Sequence, residues 1–392
     1  MNIVHVNPFY PPSYWGGIEK YVKFLSEYLV ERGHNVSVIC ANMGGEKSRE
    51  KINGVRVYRM KSIVFKKLPS LLPPPWSFEI GFWLNGYKLL KKLNPDVIHI
   101  HNRYFPGLYP VIFYKKMLKK PMIITIHNSK PEKNNEINRQ TNALAGAYDM
   151  MLGNMLMRSC DFIAGNSQYS ADATVPPGYG PENVGVAYNG IHTSEWKKVK
   201  SDFKKGHCRK GEQMILADAR LVPQKGMDYL IRALPELDFK YKLVVKGNGP
   251  ELKKLQKLAN HLGVWSKVEF VTRRDFTENQ MIHLYSAADM FVLPSLHEPF
   301  GIVLLQAMAT ETPIVTTDVG GVNEVVGDTA LKVKSRSSSA LAKAMNRLAK
   351  DEKLKKELTK KARARVVKMF DWSAAGRQME DIYKKVVKKH KK

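Results

Sequence analysis

Met290-Phe-Val-Leu-Pro-Ser-Leu-His-Glu298 runs directly into Pro299-Phe-Gly-Ile-Val-Leu-Leu-Gln306. The first part reads as a buried strand: Ala288 to Leu293 is apolar apart from Asp289, and Pro294 and Ser295 end it. The second part reads as a tight turn at Pro299-Phe300-Gly301 that opens into a helix from Ile302 to Ala309. A strand, a glycine turn and a helix start bring backbone N–H groups and the positive end of a helix dipole to one point. Such a point suits an anionic group such as a diphosphate. Glu298 stands just before the turn, and Gln306 about two helical turns beyond it.

The same grammar recurs upstream. Met214-Ile-Leu-Ala-Asp-Ala-Arg220 reads as a strand, followed by Leu-Val-Pro-Gln-Lys225-Gly226 and a helix. Arg220 and Lys225 at a strand-to-helix connection offer a planar fork and a point charge to a diphosphate. Tyr241 to Lys246 is a strand leading into Gly247-Asn-Gly249-Pro250, and Val268 to Val271 is another. Glu278 to Ala288 reads as a helix, Thr312 to Thr317 as a strand, Gly320-Gly321 as a turn before a helix, and Ser337 to Lys350 as a helix.

The amino-terminal half repeats the pattern. Asn2 to Val6 is a strand, Gly16-Gly17 close a turn-rich segment, and Ile18 to Arg32 is a helix with Val22, Leu25 and Leu29 on one stripe. After Gly33, Asn35 to Cys40 is the next strand. This is a Rossmann-like unit without the G-x-G-x-x-G dinucleotide fingerprint. Val55 to Met60 is a further strand. Strands over Pro95 to Asn102 and Met122 to Ile126 end in His99, His101 and His127, at the strand ends where open α/β sheets bind ligands. His99 and His101 share one side of their strand, but no third ligand stands nearby in the sequence, so no metal site is assigned. Met150 to Arg158 is read as a helix, Lys130 to Gln140 as a mobile loop over a cleft, and Trp196 to Lys210 as a solvated linker or exposed excursion.

The length of 392 residues calls for two domains, and a hydrophobic content of 44% supplies both with cores. No apolar run is long enough to span a bilayer, and Met1-Asn-Ile-Val enters a strand without a signal peptide. The three cysteines, Cys40, Cys160 and Cys208, have neither metal-ligand spacing nor a disulfide pattern. A cytoplasmic protein is expected. The net charge of +27 fits a lysine-rich solvated exterior or attraction to an anionic membrane. No nucleic-acid-binding pattern accompanies it, so no nucleic-acid partner is expected. Between Lys61 and Leu84, Lys66, Lys67, Leu71, Leu72, prolines 73–75, Trp76, Phe78, Phe82 and Trp83 mix apolar rings with cations. That mixture suits a membrane interface, or the rings pack inside the domain.

Glu-Pro-Phe-Gly with a polar residue eight positions after the Glu resembles the signature of glycosyltransferase family 4, whose usual second residue is Glu where this chain has Gln306. The resemblance extends over nearly the whole chain: Gly16-Gly17, Asp96-Val-Ile-His99-Ile-His101, Thr125-Ile-His127, Asn166-Ser167, Asn189-Gly190, Arg220-Leu-Val-Pro-Gln-Lys225-Gly226, Gly247-Asn-Gly249-Pro250 and Gly320-Gly321. Ala219 stands where the family has Gly, and His192 where Asp is common.

The resemblance implies an α/β GT-B fold: two Rossmann-like, doubly wound domains facing a central cleft. Domain boundaries are expected at residues 1–185 and 186–372, with 373–392 returning as a helix to the first domain. It implies a retaining, metal-independent hexosyltransferase that uses a nucleotide diphosphate sugar as donor substrate and needs no cofactor. Glu298 would contact hydroxyls of the transferred sugar and His127 would lie beside it as the catalytic pair. Gly16, Gly17, Arg220, Lys225, Gly249, Phe300, Gly301, Ile302, Val303 and Gln306 would bind substrate. The basic charge and the aromatic-lysine segment, for their part, point to a glycan or lipid-linked acceptor, in cell-envelope glycan synthesis, with peripheral attachment to an anionic inner membrane face. A glycosidase would need two flanking acids and only Glu298 is evident. A nucleotide-sugar epimerase and a non-catalytic sugar- or lipid-binding relative remain as alternatives.

Overall fold

A computed structural model of the chain describes residues 1–12, 16–65, 76–101, 103–127, 146–272 and 276–391. The segment 130–140 and, within the aromatic and lysine-rich segment, Lys66, Lys67, Leu71, Leu72 and prolines 73–75 lie outside the described residues. The chain divides into two units. Among the described residues, the first holds those up to Gly190 together with Trp372 onward; the second spans Ile191–Asp371.

In the first unit the elements are β1 (Asn2–Val6), α1 (Gly17–Glu31), β2 (Asn35–Ala41), β3 (Arg49–Ile52), β4 (Val55–Met60), β5 (Ile63–Phe65), β6 (Trp76–Phe78) and α2 (Ile80–Leu93). They continue with β7 (Val97–Ile100), α3 (Val111–Leu118), β8 (Met122–Ile126), α4 (Asn154–Arg158), β9 (Phe162–Gly165), α5 (Gln168–Thr174) and β10 (Val184–Val186). The main sheet has the order β10-β9-β8-β7-β1-β2-β4-β3, parallel except for the β3–β4 edge. A parallel sheet buried on both faces needs continuous apolar strands, and β7, β8 and β9 are buried throughout. β10 pairs with β9 in this sheet, so the unit continues to Gly190 rather than ending at 185.

The second unit contains α6 (Phe203–His207), β11 (Gln213–Asp218), α7 (Met227–Ala233), β12 (Tyr241–Lys246), α8 (Leu252–His261), β13 (Val268–Val271), α9 (Glu278–Ala287) and β14 (Met290–Leu293). It continues with α10 (Ile302–Ala309), β15 (Ile314–Thr317), α11 (Val322–Val326), β16 (Leu331–Val333), α12 (Ser338–Lys350) and α13 (Glu352–Phe370). Its sheet order is β13-β12-β11-β14-β15-β16, all parallel, which is the Rossmann order with the switch point between β11 and β14. Thr277 starts α9 with a capping box to Gln280, and Ser337 and Asp351 cap α12 and α13. The segment 196–210 is exposed or partly exposed beyond Trp196, yet it is tied to the second unit. Trp196 is buried and donates its indole N–H to Glu278, and Lys204 and His207 pair with Asp289 and Glu269.

The chain returns to the first unit as α14 (Trp372–His390). Trp372, Ala375, Met379, Tyr383 and Val386 join Val22, Leu25 and Leu29 of α1 over one face of the first sheet. The opposite face is covered by α2, α3 and α4 through Phe82, Leu90, Val111, Ile112, Leu156 and Met157. The expected helix from Met150 starts instead as a π-helical turn over Asp149–Gly153. There the Arg103 guanidinium binds the buried Asp149 carboxylate at 2.7 Å. Phe82, offered in the sequence as an interfacial ring, is fully buried and meets Tyr114 edge-on, whereas Trp83 beside it is exposed. Among the described residues no helix is long and apolar enough to cross a membrane.

Candidate functional site

The switch point of the second sheet gathers most of the expected residues. β11 ends at Asp218, a buried carboxylate that accepts from the Tyr285 hydroxyl at 3.0 Å and lies 3.4 Å from the Lys246 ammonium. Arg220 follows, exposed. Lys225 closes a short turn and donates to Glu298 Oε2 at 2.6 Å, an oxygen that also accepts from Ser295 at 3.3 Å. Glu298 follows β14, the neighbour of β11, so the ion pair ties together the loops of the two strands that flank the switch point. The backbone adds to the junction: the Leu296 N–H donates to the Gln224 carbonyl, and the Gly321 N–H to the Glu298 carbonyl.

Two glycines shape this ground. A side chain at Gly249, after β12, would place its Cβ 2.2 Å from the Leu221 carbonyl oxygen, so the two loops touch backbone to backbone. Gly301 has φ +89 and turns the chain into α10, a conformation that side chains resist. The first amides of α10, at Ile302 and Val303, fall outside the helical ladder, as at every helix start, and the dipole makes this end positive. Gln306 lies farther along α10, and its Oε1 is buried without a hydrogen-bond partner. Phe300 departs from expectation. Its ring is 2% exposed and packs edge-on against Phe370, so it anchors the turn in the core instead of offering a surface to a ligand.

In the first unit, Gly16 caps α1 and Gly17 opens it, at the carboxyl end of β1. His127 follows β8, with its ring 4.8 Å from that of Tyr21 and its Nε2 buried and unpartnered. Burial lowers its pKa to about 3 and keeps it neutral. Glu19, in the first turn of α1, was not singled out in the sequence. Burial raises its carboxyl to about 7, against hydrogen bonds from backbone N–H groups and Asn7 that favour the charged form.

The histidine pair needs a correction. A third imidazole does stand nearby: His5 on β1 is in register with His99 on β7. His5, His99 and His101 each offer a ring nitrogen within 4.8 Å of the others, and among the described residues they are the group that could hold a metal ion. Four of their six ring nitrogens are engaged, while His5 Nε2 and His101 Nδ1 are buried without a hydrogen-bond partner. His5 Nδ1 bonds to His101 Nε2 at 2.7 Å, and His99 bonds to the Tyr383 hydroxyl at 2.6 Å and the Thr125 hydroxyl at 2.7 Å. The trio contains no carboxylate, and in this arrangement the imidazoles bond to one another, to Tyr383 and to Thr125. No sequence pattern marks His5; only strand pairing brings it there.

Comparison with known proteins gives the family and the fold. Residues 15–195 match the model of glycosyltransferase family 4, and residues 198–365 that of glycosyl transferases group 1. The chain is 30% identical to an uncharacterized glycosyltransferase of Methanocaldococcus jannaschii, over 98% of each chain. It is 29% identical to a glycogen synthase of Mycobacterium tuberculosis, over 98% of this chain and 94% of that one. Among solved structures, sucrose-phosphate synthase from Thermosynechococcus elongatus superposes with a TM-score of 0.78 at 20% identity, over 98% of each chain. Anabaena HepE in complex with UDP and glucose superposes with a TM-score of 0.75 at 21% identity, over 98% of this chain and 99% of that one. The chain belongs to glycosyltransferase family 4, the glycosyl transferases group 1, and has their GT-B fold.

Proposed function

We propose that the second unit binds a nucleotide diphosphate hexose and that the chain transfers the hexose, with retention and without a metal ion, to a glycan or lipid-linked acceptor at an anionic membrane surface. The observation that carries this reading is the Lys225–Glu298 ion pair, which joins the loops after the adjacent strands β11 and β14 from which Arg220 and α10 also start; α10 carries an unpartnered buried acceptor, Gln306 Oε1. The cations and amides suit a diphosphate, and the orphan oxygen suits a ribose hydroxyl. HepE, a structure of the same fold, holds UDP and glucose, which supports this class of donor.

The chemistry follows from charge. As the glycosidic bond breaks, the diphosphate gains charge and the sugar becomes cation-like. Arg220, Lys225 and the amides of Ile302 and Val303 are fixed donors for the leaving charge. Lys225 is bonded to Glu298, so binding a phosphate oxygen shares its ammonium between the two anions. That contact would hold Glu298 in place to accept from sugar hydroxyls. Within the first unit, His127 is neutral and its open Nε2 suits a substrate hydroxyl.

Calorimetric titration of UDP, GDP and ADP in the presence of a chelator tests the donor site, with Arg220→Ala as the comparison. One nucleotide should bind at micromolar concentration and the variant should lose it. Binding of none, or binding indifferent to Arg220, would overturn the assignment. Nucleotide release from the sugar donor should then require an acceptor; interconversion of donor sugars without release would favour an epimerase. Glu298→Ala should lower turnover by about a hundredfold or more, and unchanged turnover would remove Glu298 from the chemistry.

A further inference from the structure

The first unit leaves large apolar side chains in water on one layer of its fold. Trp83 and Leu84 on α2, Phe113 and Met117 on α3, and Met150 and Met151 in the turn that leads into α4 are all exposed, Leu84 at 74% and both methionines at 70%. In the whole second unit only Trp265 and Val367 are comparable among the described residues. Single exposed apolar residues are ordinary, but a concentration of them marks a binding surface.

These side chains share one side of the molecule for a structural reason. α2, α3 and α4 bury their other faces in a single cluster on the same face of the first sheet. The Tyr114 hydroxyl on α3 donates to backbone carbonyls of α2, and the Lys115 ammonium donates to the Ser159 carbonyl at the end of α4. With their inner faces held on one sheet, the three helices turn their outer faces the same way.

Charge identifies the occupant. α2, α3 and α4 contain no Asp or Glu. Lys88, Lys91 and Lys92 on α2, Lys116 on α3, and Arg158 on α4 are exposed, and Asp149 in the turn before α4 is buried against Arg103. The opposite layer does not share this bias: α1 and α14 carry Glu27, Glu31, Glu380 and Asp381 among their basic residues. The cationic, acid-free character therefore belongs to the apolar layer and is not only the +27 net charge spread evenly. Apolar side chains that enter the acyl boundary, flanked by cations at headgroup level, are what an anionic bilayer surface takes up.

We infer that the outer layer formed by α2, α3 and α4 is the face by which the first unit docks on an anionic phospholipid bilayer. This inference rests on the membrane-surface part of the proposed function and gives it a face; it does not involve the donor site, which lies in the other unit.

The test is co-sedimentation with vesicles of phosphatidylcholine, with and without phosphatidylglycerol, at low and high salt. The wild-type chain is compared with Leu84→Glu/Phe113→Glu and with Trp265→Ser as a control in the second unit. Both altered surfaces are exposed, and thermal melts confirm that each variant is folded. Wild type and control should sediment with the anionic vesicles at low salt and much less at high salt or without phosphatidylglycerol. The double variant should partition about tenfold less or lower. Failure of the wild type to bind anionic vesicles at low salt, or undiminished binding by the double variant, overturns the inference. So does a wild-type dimer in sedimentation velocity that the double variant abolishes, with no vesicle binding, since the face would then join two copies. Because this readout uses no nucleotide, its failure leaves the donor assignment untouched.

Discussion

The buried imidazoles of the first unit should make it sensitive to mild acid. Burial holds His5 and His127 at about 3, and His99 and His101 well below the ordinary value of 6.5. As the pH falls through 6.5 the unfolded chain takes up a proton on each, and the folded chain does not. Their contribution to stability is therefore present above 6.5 and is lost as the pH falls toward 3. Between about pH 7.5 and about pH 5.5 each histidine costs a little over about 1 kcal/mol, and the four together about 5–6 kcal/mol. Two buried carboxyls oppose the loss. Burial raises Glu19 and Glu79 from 4.5 to about 7, so their contribution is fully present below 4.5 and is lost as the pH rises through 7. The same acid step returns about 2 kcal/mol from each, which leaves a net loss of about 2 kcal/mol. Glu79→Gln removes one opposing group, and the loss in that variant should grow to about 4 kcal/mol. Hydrogen exchange of the β1 and β7 amides, followed at several pH values under conditions corrected for intrinsic exchange, reads this unit alone. A first unit at least as stable at the lower pH, or a variant with the same pH dependence as the wild type, would refute the reasoning.

Other outcomes follow from single contacts. Tyr383→Phe leaves a buried His99 nitrogen without its partner and should destabilise the first unit by about 1–3 kcal/mol in the same exchange measurement. An unchanged protection pattern would mean that the bond carries no weight. Gly249→Ala drives a Cβ into the Leu221 carbonyl and should lower the stability of the second unit by about 1–3 kcal/mol in urea unfolding. Gln306→Glu should keep the preference for one nucleotide base and change its affinity by about 1 kcal/mol; calorimetry that found binding abolished would remove Gln306 from the ribose site.

The central stretch is legible because its signals are local. An apolar run, a Pro-Phe-Gly turn and a second apolar run define β14 and α10, and the helix spans Ile302–Ala309 as the sequence suggests. The β11 loop with Arg220 and Lys225 is legible for the same reason. What the sequence hides is determined at a distance. α13 buries Leu358, Ala362, Val366 and Phe370, but a dense set of lysines and arginines masks that four-residue spacing. Trp196 sits in an equally charged stretch, and its burial depends on Glu278, far along the chain. His5 is one residue of an otherwise ordinary strand until β1 pairs with β7. Phe300 sits inside the motif, yet its ring is directed by Phe370, which no local pattern places beside it.

The position of α14 has a consequence for how the chain acquires its structure. Its residues Trp372, Ala375, Met379 and Tyr383 complete the face of the first sheet that α1 begins, and Gly376 lies so close to Tyr28 that a Cβ would stand 2.4 Å from that ring. A ribosome makes Ile191–Asp371 before it makes this helix. The amino-terminal unit therefore emerges first but is finished last, with the apolar stripe of α1 uncovered while the whole second unit is synthesised. Over that interval the nascent chain depends on whatever shields the stripe, and release after residue 371 would strand a β-sheet with one bare flank.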